Sequence, residues 1–215
     1  MVEGAGLLAQ AVAAGWLVEA QFIAPGAEPV ACDAPVFEFG PNVLERVATT
    51  ESPQPVIAIV HQRLQVLPAG ATFVMAADRL ADPGNAGTII RSAEAAGAAA
   101  VAFTAGSVDP FNPKVVRASA GSLFRIPVVA CELDVLRAAG LRVLATSSHH
   151  GTVYTDEDFT SPIAVVVGNE AHGVPDDAAV DGWLTIPHEG AAESLNVAMA
   201  ATVLAFEVAR QRRGR

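Results

Sequence analysis

The stretch TFVMAADRLADPGNAGTIIRSAEAAGAAAVAF, residues 72–103, decides how the chain folds. It opens on an apolar run from Thr72 to Asp78, breaks at Pro83-Gly84, continues with helical spacing to Gly97 and ends on a second apolar run at Phe103. Two short apolar runs flanking a helix-period segment predict a strand–helix–strand unit whose parallel strands are covered on both faces. The tight turn at Pro83-Gly84-Asn85 makes Asn85, or the residue after it, the expected cap of the helix. The same alternation continues to the C-terminus. PKVVRASAG (113–121) and ELDVLRAAG (132–140) read as helices, and RIPVVA (125–130), RVLATSS (142–148), PIAVVVG (162–168) and GWLTIP (182–187) as strands, before a final helix starting near Ser194. The expectation is an α/β fold with a mostly parallel sheet. Ligands in such sheets lie beyond the carboxyl ends of the strands, so the loops after Ala77, Ala145, Val167 and Ile186 are the places to search.

Ahead of this unit the pattern differs. GAGLLAQAVAAGW (4–16) has helical spacing with Gly15 as its stop, PNVLERVAT (41–49) reads as a second helix, and EAQFIA (19–24), VFEF (36–39) and PVIAIV (55–60) read as strands. QRLQVLPAGA (62–71) lacks a period and contains Pro68 and Gly70, which marks a connection. The expected division is a small α/β unit over 1–65, a linker over 66–71 and the larger unit over 72–215.

Composition narrows the function. Over 215 residues the net charge is −10, and the residues before Met75 carry only two basic side chains, Arg46 and Arg63, against seven acidic ones. Neither half of the chain is basic overall, so contact with a polyanion has to rest on local charge. The two cysteines, Cys32 and Cys131, form no spacing motif, which points to a reducing, cytoplasmic setting. The longest apolar run, Leu195 to Phe206, is shorter than a membrane span needs. There is no G-x-S-x-G elbow for a serine hydrolase. His149-His150 lies near Asp156 and Asp158, but the spacing is not that of a metal site and none is expected.

Four segments carry candidate chemistry. Arg91 stands among Ile89, Ile90, Ala93 and Ala96, where a plain surface would be served by lysine or an aliphatic residue. Lys114 and Arg117, one helical turn apart, suit either a phosphate or a solvated face. Gly168 ends an apolar strand and permits close backbone approach, with Asn169 and Glu170 following; His172 reads as a loop histidine. Ser194 has N-cap chemistry, with Asn196 in the first turn carrying a free amide. The helix beyond is apolar all round through Val197, Met199, Val203, Leu204 and Phe206, which predicts burial against a second subunit.

Taken in order, NAGTIIRSAEAAG (85–97), VVVGNEAHGV (165–174) and IPHEGAAESLNVAMAA (186–201) resemble the three motifs of the SpoU (TrmH-like) family in the SPOUT superfamily, the RNA 2′-O-ribose methyltransferases. PKVVRASAGSLFRIPV (113–128) resembles the segment between the first two motifs. The first third, through VEGAGLLAQAVAAG and TTESPQPVIAIV, resembles an L30e-like substrate-binding domain, apparently truncated. The resemblance implies a mostly parallel sheet ending in a deep trefoil knot, a homodimer packed through the last helix, and S-adenosylmethionine as cofactor. By the same resemblance Asn85 and Arg91 address the target ribose and its phosphate, while Glu170, Ser194 and Asn196 complete the catalytic pocket. Thr146, Ser147, Gly168, Asn169, Gly173, Ile186, His188 and Leu195, with Ser194 and Asn196, are then expected to hold the cofactor, and Lys114 and Arg117 to meet RNA of ribosomal or transfer type. His188 stands where the family usually carries methionine. The acidity keeps two rivals in view: a methyltransferase of this fold with a non-RNA acceptor, and a non-catalytic knotted binding protein.

Overall fold

The structure, a computed structural model, describes residues 1–49, 52–63, 65–191 and 193–213. The first sheet is built from β1 (Val2–Glu3), β2 (Val18–Ile23), β3 (Val36–Glu38) and β4 (Val56–Val60), in the order β1-β4-β2-β3. β4 runs antiparallel to both β1 and β2, and β3 parallel to β2. Helix α1 (Ala5–Ala13) stops where expected: Gly15 adopts φ +70°, its amide bonds Val12 O and the Trp16 amide bonds Ala11 O. That is a Schellman ending, which glycine enters without steric penalty. The expected helix over 41–49 shrinks to α2 (Leu44–Val47), because Asn42 takes φ 60° and breaks the run before it starts. β1 has only two residues, too few for a periodicity to register.

The second sheet contains β5 (Phe73–Ala77), β6 (Ala100–Phe103), β7 (Val128–Ala130), β8 (Arg142–Thr146), β9 (Thr152–Val153), β10 (Ile163–Val167) and β11 (Gly182–Thr185). Their order is β7-β6-β5-β10-β8-β11-β9, with every adjacent pair parallel. Side chains alternate across it. Phe73, Met75, Val101, Phe103 and Val165 enter one core, with α3 (Pro83–Ala95), α4 (Pro113–Ala118) and α6 (Val197–Arg212). Val74, Ala76, Ala102, Val143 and Val166 enter the other, with Leu136 of α5 (Leu133–Ala138). Helices on both faces meet the expectation for near-continuous apolar strands.

Helix α3 is capped three residues earlier than expected. Asp82, not Asn85, is its N-cap: Asp82 Oδ1 accepts from the Asn85 amide at 2.8 Å, and Pro83 occupies the first turn, where no amide is needed. The Asn85 side chain is thereby released for other work. Farther along, α3 crosses α4 at backbone distance. A Cβ on Gly87 would sit 2.4 Å from Ala118 Cβ and 2.7 Å from Val115 O. Replacing Gly87 by alanine gains about 1 kcal/mol of helix propensity but forces these helices apart, at about 1–3 kcal/mol or more. Urea unfolding is expected to show a net loss of stability.

The two sheets share one apolar cluster, continuous from Val2, Leu8 and Trp16 to Phe124, Ile126 and Val128. Trp16 Nε1 donates to Phe124 O at 3.0 Å, with the rings edge-on at 5.3 Å. The Val128 amide donates to Gln65 Oε1 at 2.6 Å, and the Gln10 side chain fills the space that a Cβ on Gly121 would take.

Candidate active site

Beyond the carboxyl ends of β8, β10 and β11 lies a cavity of about 730 Å³, within the range of small-molecule sites. Thr146 and Ser147 line it from the loop after β8, and Gly168, Asn169, Glu170 and Gly173 from the loop after β10. Ile186 and His188 reach it after β11, and Ser194, Leu195 and Asn196 from the approach to α6. The whole set expected around the cofactor therefore shares one wall. His149, His150 and His172 join them, which loop composition alone did not reveal. His188 Nε2 is buried without a hydrogen-bond partner among the described residues.

The loop after β10 owes its shape to Gly168. A Cβ there would lie 2.2 Å from the carbonyl carbon of Gly173 and 2.3 Å from Val174 N. The glycine is required because the loop closes on itself, through Asn169 N to Gly173 O at 3.2 Å and Gly173 N to Asn169 O at 2.8 Å. The need for glycine is thus met within the loop itself, and its backbone still lines the cavity. Asn169 is spent on scaffolding too: its Oδ1 accepts from the Ala171 amide and its Nδ2 donates to Arg79 O at 2.9 Å.

Three side chains from three distant segments then join in one chain. Glu170 Oε1 accepts from the Asp82 amide at 2.9 Å and from Asn85 Nδ2 at 3.0 Å, and its Oε2 accepts from the Ala81 amide at 3.1 Å. The carboxylate accepts only, so it orients Asn85 with its amide nitrogen inward. Asn85 Oδ1 is left to accept from Asn196 Nδ2 at 3.0 Å. Asn196 Oδ1 in turn accepts from the amides of Ala198 and Met199. Asn196 is thus the N-cap of α6, and Ser194, expected there, is an exposed loop residue two positions earlier. Desolvation on its own would raise the Glu170 pKa; the donors from Asn85, Asp82 and Ala81 outweigh it and hold the group below its ordinary range. An ionised carboxylate already engaged by three donors is an organiser of the site and a poor proton acceptor.

The cations divide sharply. Arg91 is exposed on α3 and forms no hydrogen bond or ion pair among the described residues. Lys114 is exposed on α4. Arg117, expected beside it as a phosphate ligand, turns toward the first sheet, where it bonds Thr49 Oγ1 and lies 3.7 Å from buried Glu3. Helical spacing put Lys114 and Arg117 one turn apart, but α4 packs against β1 and draws Arg117 to it.

The SpoU rRNA Methylase family model matches residues 72–206. The 23S rRNA (guanosine(2553)-2′-O)-methyltransferase RlmP of Bacillus subtilis is 41% identical over 175 residues, a match covering 78% of this chain and 69% of that protein. The 23S rRNA (uridine(2479)-2′-O)-methyltransferase of Streptomyces viridochromogenes is 36% identical over 186 residues, covering 79% of this chain and 65% of its own length. The matched stretch thus spans about two thirds of these relatives. The crystal structure of the SpoU methyltransferase AviRb from Streptomyces viridochromogenes in complex with AdoMet superposes with a TM-score of 0.88 at 32% identity, covering 99% of this chain and 90% of that one. The AdoMet-bound rRNA methyltransferase from Sinorhizobium meliloti gives 0.85 at 33% identity, covering 98% of this chain and 86% of that one. A parallel α/β sheet with its cavity at the strand ends, framed by three ordered motifs, defines a methyltransferase of SpoU type. The chain belongs to the SpoU rRNA methylase family.

Proposed function

We propose that the protein is an S-adenosylmethionine-dependent methyltransferase acting on a ribose 2′-hydroxyl of ribosomal RNA, in the cytoplasm. The observation that carries this is the hydrogen-bonded chain Glu170–Asn85–Asn196, which draws the three motif segments together beside the 730 Å³ cavity. The lining fits the cofactor. Asp176 and Glu193 place acidic side chains on the wall, which suits a cationic ligand, and Ile186 and Leu195 supply apolar surface. The orphaned His188 Nε2 is the kind of buried polar atom that a bound ligand satisfies. When bound, the cofactor supplies a methyl group already activated for in-line displacement, so the protein's task is positioning and charge control.

The residues divide that task. Asn85 and Asn196, fixed by Glu170 and the first turn of α6, hold the acceptor's edge of the cavity in place. Arg91, with its guanidinium uncommitted, aligns the ribose hydroxyl against a neighbouring phosphate; a guanidinium keeps its proton at any ordinary pH and acts here by charge. The first sheet is read as an L30e-like substrate domain. The path of the chain, with β10 entering between β5 and β8 before the chain returns as α6 over α3, supports a trefoil knot. Met199 and Phe206 of α6 are 65% and 41% exposed in a single chain, which supports a homodimer through this helix. Replacing both by aspartate is expected to convert a sedimenting dimer to monomer.

The test is transfer of labelled methyl from S-adenosylmethionine to ribosomal RNA from a strain lacking the gene, at low salt, with Arg91→Ala alongside. Arginine-dependent labelling, located by digestion to a ribose, is the expected result. Cofactor binding by calorimetry without any labelling of RNA would overturn the assignment.

A further inference from the structure

The geometry points to Arg79 as a binding residue for a phosphate of the acceptor strand, fixed in place by the same loop that shapes the cofactor cavity. This rests on the proposed RNA substrate. A chain of net charge −10 must meet a polyanion with few free cations, and Arg117 is committed to Glu3 and Thr49.

Arg79 lies at the carboxyl end of β5, six residues before Asn85 as Arg91 lies six after it. Its backbone takes φ 51°, in the left-handed region that glycine or asparagine fills at little cost and arginine does not. The surroundings over-determine that conformation. The Arg79 amide donates to Thr104 Oγ1 at 3.1 Å, and the Arg79 carbonyl accepts from Asn169 Nδ2 at 2.9 Å. Asn169 belongs to the cavity wall, so a single residue links the cofactor loop to the end of β5. Strain held in this way concentrates at functional positions.

The side chain is aimed as well. Nε and Nη2 donate to Asp78 Oδ2 at 3.1 and 2.9 Å, and Asp78 Oδ1 accepts from Thr104 Oγ1 at 2.7 Å. Asp78 is buried, whereas the Arg79 side chain is 47% exposed. One edge of the guanidinium is clamped, and Nη1 has no partner among the described residues. Gly106 lies beneath the stem; a Cβ there would come within 3.4 Å of Arg79 Cγ. A guanidinium anchored on one edge and open on the other is pre-organised for a phosphate oxygen.

The decisive variant is Arg79→Gly, which keeps the left-handed backbone and removes the side chain with its guanidinium. Filter binding of labelled total ribosomal RNA, from the strain lacking the gene, is measured across a salt series, with cofactor affinity followed by calorimetry. The expected result is about tenfold weaker RNA retention, a salt slope lower by about one, and cofactor affinity within about twofold of the unmodified protein. If the unpaired Asp78 lowers the melting temperature, Asp78→Asn with Arg79→Gly removes that charge and is read the same way. Unchanged retention and slope would overturn the proposal. So would a parallel fall in cofactor affinity, which would make Arg79 only a support for the Asn169 loop. Failure of the unmodified protein to retain RNA would sink the RNA assignment together with this one, whereas retention that Arg79→Gly leaves intact sinks this one alone.

Discussion

Replacing Arg91 by alanine will reduce methyl transfer by about a thousandfold, the range seen when one preorganised charge-stabilising donor is removed, and leave cofactor affinity within about twofold. The reasoning starts from what Arg91 does not do. It forms no ion pair or hydrogen bond among the described residues, so its loss leaves no buried charge behind and disturbs the fold by only about 0.5 kcal/mol or less. It does not line the cavity, so the cofactor loses no contact. What disappears is a positive charge on α3 beyond Asn85, available only to the acceptor. A loss confined to turnover is the mark of an interaction made in the transition state. Equal losses in turnover and cofactor affinity would reassign Arg91 to the scaffold.

Glu170→Gln should fail differently. The substitution is isosteric but puts a donor group in place of one oxygen, against the Ala81 amide on one side or the Asp82 amide and Asn85 Nδ2 on the other, and charged hydrogen bonds of this kind contribute about 1.5–3 kcal/mol each. Asn85 is then held by a neutral amide in place of a carboxylate, its hold on Asn196 weakens, and the loop from Gly168 to Gly173 is tied less firmly to the N-terminus of α3. Turnover and cofactor affinity are expected to fall together, turnover by about a hundredfold and affinity by about tenfold. Native turnover and affinity in this variant would refute the organising role. The same carboxylate gives a pH signature. Because its folded pKa is lowered, its contribution is complete above the unfolded-state pKa and is lost as the pH falls through the folded value. Cofactor affinity followed by calorimetry should accordingly hold through the ordinary carboxylate range and weaken only below it.

Much of this could be read from residue order. The strand–helix alternation from Thr72 onward and the stops at Gly15, Gly97 and Gly140 rest on local rules, and local rules are written in short windows. Asn85, Glu170 and Asn196 were legible as a set because each motif carries one of them. What escaped depended on partners distant in sequence. Ser194 and Asn196 are equally good caps on paper, and the cap fell to Asn196, which Asn85 holds from 111 positions away. Arg117 was legible as a cation but not as one facing Glu3. Gly168 was legible as a special backbone position, yet the atom it must avoid belongs to Gly173, across its own loop. The strand order escaped altogether, since nothing local in Ile163–Val167 says that it pairs with β5 on one side and β8 on the other.

That central position of β10 has a kinetic consequence. Ile163 pairs with Phe73, ninety positions earlier in the chain. During synthesis at about 5–20 residues per second, β5 therefore waits roughly five to eighteen seconds with one long edge open, and β8, made shortly before β10, waits only about one to four. Until the middle strand arrives, the backbone groups on the facing edges of β5 and β8 stay unpaired, and each edge presents a bare template for pairing between molecules. High contact order of this kind slows folding, so the chain should refold slowly and tolerate dilution better than crowding. A truncation that removes the last third would take β8 to β11 with it and leave β7-β6-β5 with the inner edge of β5 bare.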